Sequence, residues 1–357
     1  MNKNNYVVIM AGGVGSRFWP YSRTNKPKQF LDILNTGRSL IQMTFDRFKS
    51  KVPVENIYVV THHDYGDLVK EQLPKLSEDQ ILLEPHRRNT APCIAYACYK
   101  INKKNPNAIV TIAPSDHLIA NEEKFYQAWE TAKEAAEDQE KLVTIGLHPN
   151  QPETGFGYIQ FIDGDEPIKR VKTFTEKPEK ELAEKFIESG DFLWNSGIFI
   201  WGVQAIIKAI EESLPEMAEL FEEATPKLST PNEKAAISIV YSQCSNISID
   251  YGVMESAHHV FVVSADFIWS DLGSWNALHD HSEKDNQDNV NQANALLYDT
   301  KNTLIKGPKD KLIIVQGLQN YLVTECDNVL LICRRDNEQK FRDFVADVKE
   351  NKGKEFL

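Results

Sequence analysis

Short apolar runs alternate with amphipathic stretches over residues 1–150 of the chain. The runs are rich in β-branched residues and apolar at successive positions: YVVIMAGG, NIYVVTH, QILLEP, AIVTIAPSDH and KLVTIGL. Such runs are typical of strands that are buried on both faces of a parallel sheet. Between them, SLIQMTFDRF and EEKFYQAWETAKEAAED repeat apolar residues every three or four positions, as helices do. We therefore predict an α/β fold with a Rossmann-like mixed, mostly parallel sheet and helices on both faces.

From about residue 151 the pattern predicts an extension of this sheet. Strands are predicted at ETGFGYIQF, RVKTFTEKP and WNSGIFIW, with an amphipathic helix at PEKELAEKFIESG. Most of 204–240 has helical spacing, and FVVSADFIWSDLGSW is predicted to run from a strand into a loop.

The pattern changes again after about residue 280. HDHSEKDNQDNVNQANA is polar and has few apolar residues, which is typical of a linker. Five β-like pieces follow at short intervals, ALLYDT, NTLIKG, KLIIVQG, YLVTECD and NVLLICRR, and a charged helical tail closes the chain. We predict one main domain over 1–285 and a small β-rich, β-helix-like C-terminal domain with a terminal helix over 286–357.

Composition and charge exclude several classes of partner. The chain has 357 residues, 41% of them hydrophobic and 26% charged, as in ordinary globular proteins. Its formal net charge is −12, which argues against nucleic acid or an anionic membrane as the main partner. The N-terminal apolar run is too short for a signal peptide or a membrane span, so we expect a cytoplasmic protein. The five cysteines form no CxxC pair, and we expect free thiols.

A glycine-rich turn follows the first predicted strand, in AGGVGSR. Glycines there let backbone N–H groups approach an anion closely. The dinucleotide motif GxGxxG is excluded because Phe18 stands where the third glycine belongs, and the Walker pattern is absent. The turn taken alone is also compatible with a purely structural role. Four cations follow at once and favour a polyphosphate-binding loop: Arg17, Arg23, Lys26 and Lys28.

Two aspartates follow apolar strands, Asp116 in AIVTIAPSDH and Asp271 after FVVSADFIW. A carboxylate at the carboxyl end of a strand suits Mg²⁺, which takes one or two protein carboxylates besides phosphate oxygens and water. The alternative is a helix N-cap. His117 is adjacent to Asp116, and its expected role is structural or, alternatively, to orient that carboxylate.

The chain resembles the sugar-1-phosphate nucleotidylyltransferases, the pyrophosphorylases of nucleotide sugars. AGGVGSRFWPYSR…KPKQF follows the form GxGxRxWPxSR…PKQF, which is closest to the guanylyl branch that makes GDP-mannose. Uridylyl and thymidylyl relatives usually have RLxPLT at this position. The resemblance continues in order through EPHRRNTAP, PSDH, PETGFGYI, FTEKP, WNSGIF, SIDYGVME and WSDLGSW. It implies the fold of nucleotide-diphospho-sugar transferases, with the catalytic domain over 1–285.

The resemblance also implies the site residues. The nucleotide-binding set is Ala11, Gly12, Gly13, Gly15, Ser16, Arg17, Lys28, Glu84, Arg88, Asn89, Thr90, Ser115 and Asp116. The sugar-phosphate set is Gly155, Gly157, Glu176, Lys177, Asn195 and Asp250. Catalytic roles fall to Arg17, Lys28 and Lys177, and Mg²⁺ to Asp116 and Asp271. Three of these residues have ordinary alternatives: Thr90 as a helix N-cap, and Glu176 with Lys177 as a surface ion pair.

By this resemblance we expect the chain to transfer GMP from GTP to mannose 1-phosphate, giving GDP-mannose and pyrophosphate. Three alternatives remain at this point: a relative with another base or hexose, a non-catalytic nucleotide-sugar-binding regulatory homologue, and a nicotinamide-dependent dehydrogenase. The last is disfavoured by the missing third glycine. Long bacterial members carry a fused isomerase domain, for which this chain ends too early, so isomerase activity is not expected. A homodimer is expected.

Overall fold

The computed structural model describes residues 2–13, 15–162 and 167–357. These residues form two compact units. The first unit contains the chain up to Gly12, Thr44–Ser115 and Ile119–Trp269. The second contains Gly13–Met43, Asp116–Leu118 and Ser270–Leu357. Each unit consists of several separate segments of the chain. The predicted domain boundary at residue 285 stays a prediction.

A nine-stranded mixed sheet forms the centre of the first unit. Its strands are β1 (Asn5–Met10), β2 (Ile57–His62), β3 (Ile81–Glu84), β4 (Ile109–Pro114), β6 (Leu142–Leu147), β7 (Gly157–Phe161), β8 (Ile168–Glu176), β9 (Phe192–Gly202) and β10 (Val260–Ala265). Two further short strands, β5 (Leu118–Ala120) and β11 (Ile268–Ser270), lie where the chain passes from one unit to the other. The strand order of the large sheet is β3-β2-β1-β4-β9-β6-β10-β8-β7.

The predicted mostly parallel sheet holds for only part of these strands. β3, β2, β1 and β4 pair in parallel, as do β6 and β10. β9 is antiparallel to β4, β6 and β7, and β8 is antiparallel to β7 and β10. The reason is that β9 inserts between β4 and β6 and runs in the opposite direction to both. Apolar runs alone carry no information on this insertion.

Helices cover both faces of the sheet. They are α1 (Leu40–Lys49), α2 (Gly66–Gln72), α3 (Thr90–Lys104), α4 (Glu122–Ala136), α5 (Lys180–Ser189), α6 (Val203–Ser213), α7 (Pro215–Ala224) and α8 (Glu233–Gln243). On one face, α3 and α6 to α8 form a single apolar cluster with Val8, Val60 and Val110. On the other face, the buried Trp129 of α4 donates its indole N–H to Thr111 at 2.8 Å. The predicted two-sided cover is therefore observed.

The parallel strands bring the motifs to one edge of the sheet. β1 ends before the glycine turn, β3 ends at Glu84, and β4 ends just before Ser115. In a parallel sheet, such carboxyl-terminal ends lie side by side, which is the usual place for ligands. These motifs lie close together because the strands that precede them run in the same direction.

The second unit contains the C-terminal strands and two helices. They are α9 (Trp275–Asp280), β12 (Val290–Gln292), β13 (Ala295–Tyr298), β14 (Leu304–Lys306), β15 (Ile313–Gln316), β16 (Tyr321–Cys326), β17 (Val329–Arg334) and α10 (Phe341–Asn351). β12, β14 and β16 pair in parallel, β13 pairs in parallel with β15, and β17 is antiparallel to β16. The apolar core joins this part to the loop of residues 13–43 through Phe18, Leu31 and Trp275, among others.

The polar segment before these strands was predicted as a linker, and this prediction was wrong. Asn289 is buried, and its amide donates to Asp285 and to the Thr300 carbonyl. β12 begins at Val290, inside the same segment. Polar residues here form hydrogen bonds with buried backbone groups. Composition alone cannot distinguish such residues from polar residues that are exposed to solvent.

Candidate functional site

The glycine turn begins in the first unit with Ala11 and Gly12. Ala11 extends the sheet, since its N–H donates to the Val60 carbonyl and its own carbonyl accepts from the Thr61 hydroxyl. A side chain at Gly12 would lie 3.4 Å from Oε2 of Glu84. Gly12 therefore keeps the space in front of that carboxylate open.

Gly15, in the second unit, is required for two reasons. Its φ is +67°, in the left-handed region that favours glycine. A Cβ there would lie 2.5 Å from Cβ of Lys28. Gly15 thus lets the backbone pass directly over the Lys28 side chain, which is buried to 3% exposure.

The Lys28 ammonium connects two of the predicted site residues within the second unit. Nζ donates to Asp116 Oδ2 at 2.9 Å and to the Asp271 carbonyl at 2.6 Å. It also lies 5.7 Å from the centre of the Phe18 ring. The structure therefore brings Lys28, Asp116 and Asp271 together, although they are far apart in the sequence. A buried ammonium held by one carboxylate and one carbonyl is a concentrated positive charge.

The surroundings keep Asp116 ionised. Burial favours the neutral acid, but the charges of Lys28 and His117 and the hydrogen bond from Lys28 outweigh it, so the pKa lies below its ordinary value of 3.8. His117 thus lies close enough to Asp116 to lower the pKa of this carboxylate.

The other three cations of the loop have different surroundings. Arg23 is held within the second unit by Asn328 at 2.9 Å and by the Cys326 carbonyl at 3.2 Å. Lys26 is exposed. Arg17 is exposed as well, and among the described residues no hydrogen bond or ion pair to its guanidinium is seen. The Arg23 guanidinium therefore stabilises the loop itself, and the predicted phosphate roles stay with Arg17 and Lys28.

The carboxylates fit a divalent cation by their chemistry. Asp271 follows the short β11, and its Oδ1 accepts the Gly273 N–H at 2.8 Å. Lys28 brings the Asp271 backbone next to the ionised Asp116 carboxylate. Mg²⁺ takes one or two protein carboxylates and completes its coordination with phosphate and water oxygens, so aspartates are suitable ligands for it.

Glu84 forms the centre of a second polar group, in the first unit. It is buried, and its Oε1 accepts a hydrogen bond from the Tyr241 hydroxyl at 3.0 Å. Burial raises its pKa to about 7 from an ordinary 4.5, against the lowering effects of Tyr241 and Arg87. Near neutral pH, Glu84 therefore has both protonation states available.

The residues after Glu84 open α3. The N-cap is Asn89, whose side chain accepts from the Thr90 N–H at 2.9 Å, so Thr90 is not the cap. The Thr90 hydroxyl accepts instead from the Ile249 N–H at 2.9 Å. Asn89 adopts φ 66° and ψ −165°, a strained conformation for a residue with a side chain. Arg88 donates to the Tyr241 carbonyl at 3.1 Å. These contacts fix the loop in front of Glu84.

The predicted sugar-phosphate residues meet at the ends of β7, β8 and β9, all in the first unit. Glu176 ends β8, and Lys177 follows with φ 47°, a strained left-handed conformation. The Lys177 ammonium donates to Glu176 at 2.6 Å and remains mostly exposed. Gly157 pairs with Glu176 across the sheet, and any side chain at Gly157 would collide with the Glu176 carboxylate.

Asn195 and Asp250 complete this group. The Asn195 amide donates to Asp250 Oδ1 at 2.8 Å, and its carbonyl oxygen accepts from Thr144 and from the Gly197 N–H. Burial, and next the negative charge of Glu176, raise the pKa of Asp250 to about 6. The cluster of two acids and one exposed ammonium is suited to hydroxyl groups beside an anion.

Three predicted residues lie outside these groups. The Gly155 N–H donates to Glu153 at 3.1 Å, so the structure does not direct it toward the Asn195 group. Ser16 is exposed and starts a 3₁₀ turn over Ser16–Phe18. Ser115 is buried, and its carbonyl accepts from Thr44.

Sequence reasoning missed two residues of the site. Tyr241, in the last turn of α8, donates to Glu84, and Thr144, in the middle of β6, donates to Asn195. Both lie inside ordinary periodic segments, so no local signal marks them. Only the packing of α8 and β6 against the neighbouring strands places their hydroxyls on these side chains.

Comparison with known proteins shows the family. The family model "Nucleotidyl transferase" matches residues 6–288. The chain belongs to the nucleotidyl transferase family. This nucleotidyl transferase is thus an enzyme of the class that the motifs predicted.

The curated relatives are longer than this nucleotidyl transferase. It is 35% identical over 358 residues to a mannose-1-phosphate guanylyltransferase of Klebsiella pneumoniae and to one of Escherichia coli. Each alignment covers 98% of this chain and 75% of the relative. A solved structure from Thermus thermophilus, named "mannose-1-phosphate geranyltransferase", superposes with a TM-score of 0.88 at 29% identity and covers 97% of this chain and 99% of that one. The superposition confirms the predicted α/β fold.

No helix among the described residues combines the length and the apolar character needed to span a membrane.

Gly15→Ala is expected to lower the free energy of unfolding by about 2–4 kcal/mol, because alanine is strained at positive φ and its Cβ meets Lys28. Urea denaturation of the full chain measures the change. Gly13→Ala is the matched control, since nothing lies within 4 Å of a Cβ there, and it should change stability by less than about 1 kcal/mol. Equal stabilities of both variants would contradict the close approach at Gly15.

Glu84 is expected to make stability fall as pH rises. Its folded pKa of about 7 exceeds the ordinary 4.5, so between those values the folded protein retains a proton that the unfolded chain has lost. The cost reaches at most about 3 kcal/mol above pH 7. Unfolding by urea at pH 5 and pH 8 should therefore show Glu84→Gln gaining stability relative to wild type by about 2–3 kcal/mol at the higher pH. The exposed Glu134→Gln is the control and should show no such gain; a pH-independent difference for Glu84→Gln would refute the raised pKa.

Proposed function

We propose that this enzyme transfers GMP from GTP to mannose 1-phosphate, giving GDP-mannose and pyrophosphate. The names of the two bacterial relatives support the substrates. The residues of this chain support the chemistry, because the triphosphate, the base and the sugar phosphate each have suitable side chains in one of the polar clusters described above. The single observation that carries the proposal is the buried Lys28 ammonium between Asp116 and the Asp271 carbonyl.

The second unit is proposed to act on the triphosphate. The N–H groups of the glycine turn and the exposed Arg17 guanidinium supply donors for phosphate oxygens. Lys28 supplies a positive charge that is already desolvated and fixed, so little reorganisation is needed when charge develops on the leaving pyrophosphate. Asp116 and Asp271 would hold Mg²⁺, which when bound neutralises phosphate charge and orients the phosphates.

The first unit is proposed to recognise the base and the sugar phosphate. Guanine presents N1–H and an amino group as donors, and the Glu84 carboxylate or a backbone carbonyl can accept these hydrogen bonds. Its O6 is an acceptor, to which the Asn89 amide or a backbone N–H can donate. The exposed Lys177 ammonium suits the sugar phosphate. Glu176, Asn195 and Asp250 offer acceptors and a donor for sugar hydroxyls.

The chemical step requires no side-chain nucleophile. An oxygen of the sugar phosphate attacks the α-phosphorus of GTP, and the bond from that phosphorus to the bridging oxygen of pyrophosphate breaks. The attacking phosphate is already ionised at neutral pH, and pyrophosphate carries away the electron pair. Two anions must approach each other, so catalysis consists mainly of positioning and charge neutralisation by Arg17, Lys28 and Lys177.

The proposal extends to the C-terminal segment, the oligomeric state and the cellular location of the enzyme. The parallel pairing of β12, β14 and β16 and of β13 with β15 supports a short β-helix after residue 286. A homodimer in the cytoplasm, without nucleic acid or membrane as a partner, is proposed from the acidic composition and the family.

Pyrophosphate release, screened over four nucleoside triphosphates and several hexose 1-phosphates, tests the substrates directly. GTP with mannose 1-phosphate and Mg²⁺ should give the highest kcat/KM, and chelation of the metal should abolish turnover. A higher kcat/KM for another pair would move the enzyme to a different branch of the family. Binding of GDP-mannose without turnover of any pair would instead identify a regulatory homologue.

Lys28→Met is expected to lower kcat by about 10²–10³-fold, the loss typical of one preorganised contact to transition-state charge. Methionine keeps the carbon chain that packs under Gly15 and removes only the ammonium. Lys26→Met removes an exposed cation of the same loop and should retain kcat within a factor of two. Steady-state kinetics, with thermal melts to confirm folding, compare the two; a Lys28→Met enzyme as active as Lys26→Met excludes the proposed role.

A further inference from the structure

A cluster of metal-ligating side chains lies at the end of β2, among residues to which the proposed function assigns no role. His62 is the last residue of the strand, and His63–Tyr65 form a 3₁₀ turn directly after it. One ligand atom from each of His62, His63 and Asp64 lies within 4.8 Å of the others. Within the described part of the chain this is the one such group of three or more.

The Asp64 carboxylate faces both imidazoles. Its Oδ2 lies 3.1 Å from His62 Nδ1, and its Oδ1 lies 3.1 Å from His63 Nε2. The ring centres are 4.3 Å apart. Zn–N bonds of about 2.0–2.1 Å in a tetrahedral site separate neighbouring ligand atoms by about 3.3 Å. The two 3.1 Å contacts involve different oxygens of Asp64, and one ligand atom from each residue lies within 4.8 Å of the others, so small side-chain rotations would bring the three onto one ion.

His62 Nδ1 is positioned as a ligand atom. The Asp64 N–H points toward it at 3.4 Å, a contact that requires a lone pair on this nitrogen. A lone pair next to a carboxylate oxygen is favourable only when a proton or a cation lies between them. A metal ion satisfies both atoms.

We propose that His62, His63 and Asp64 bind one divalent transition-metal ion of the zinc or cobalt class. Two imidazole nitrogens and a carboxylate are the ligand types that these ions prefer, whereas Mg²⁺ prefers oxygen. His63 and Asp64 are exposed, so water or a further ligand can complete the coordination. The Arg87 guanidinium, which donates to the Tyr65 hydroxyl at 2.6 Å, is a neighbouring positive charge that opposes the charge of the ion, so we expect no more than micromolar affinity.

This site is separate from the carboxylates proposed for Mg²⁺. It contains imidazole donors, and its residues belong to the first unit, whereas Asp116 and Asp271 belong to the second. Metal binding at the histidines is therefore measurable without any assay of activity, and its failure would leave the proposed function untouched.

The test is titration of the full-length protein with Co²⁺, followed by visible absorption, and with Zn²⁺, followed by calorimetry. One equivalent should bind with a micromolar dissociation constant and produce the d–d bands of a site with nitrogen ligands. Millimolar Mg²⁺ should not displace it. His63→Ala and Asp64→Asn should each weaken binding at least tenfold.

The chain offers a matched control in a second exposed histidine pair, His258 and His259. His258→Ala should leave the dissociation constant within a factor of two. The proposal is overturned if the wild type binds no Co²⁺ or Zn²⁺, or if His63→Ala and Asp64→Asn bind as tightly as wild type. It is overturned equally if His258→Ala weakens binding as much as they do. Circular dichroism of each variant confirms that a loss of binding is not a loss of fold.

Discussion

The ammonium of Lys28 is the interaction on which the second unit depends. It is buried, so its charge must be compensated, and Asp116 and the Asp271 carbonyl provide this from two distant parts of the chain. The same bonds determine where the glycine turn passes, because Gly15 lies against the aliphatic part of Lys28. Removal of any one partner would leave a buried charge or an unfilled contact, so these residues act as one group.

The loop around Lys28 is stiff because other side chains bind its backbone. The Ser22 hydroxyl donates to the Gly15 carbonyl, and the Trp275 indole donates to the Trp19 carbonyl. The Arg23 guanidinium donates to the carbonyl of Cys326, the last residue of β16. A loop that is ordered before its ligand arrives loses little entropy on binding. Arg23 and Lys28 are thus held by bonds within the second unit, whereas Arg17 is exposed.

The polar groups of the first unit share one physical feature, which is a carboxylate with little access to water. Glu84 and Asp250 both have pKa values raised by burial, to about 7 and about 6. Buried acids of this kind are costly, and their positions coincide with strained backbone at Asn89 and Lys177. Strained backbone and desolvated acids within the same polar groups are typical of ligand sites and uncommon in a purely structural core.

The sequence by itself determined the family, the positions of most strands and helices, and the residue types of the site. Periodicity located the elements, and the motifs AGGVGSR, EPHRRNTAP and FTEKP contributed to the family resemblance that implied the chemistry, because these are local properties of the chain. Tertiary structure alone decided which groups meet. It inserted β9 between β4 and β6, bound Arg23 to the Cys326 carbonyl, placed the Tyr241 hydroxyl on Glu84, and set Asp64 between two imidazoles. Each of these depends on the packing of segments remote in the chain and on the burial of charge, which no local pattern of residues records.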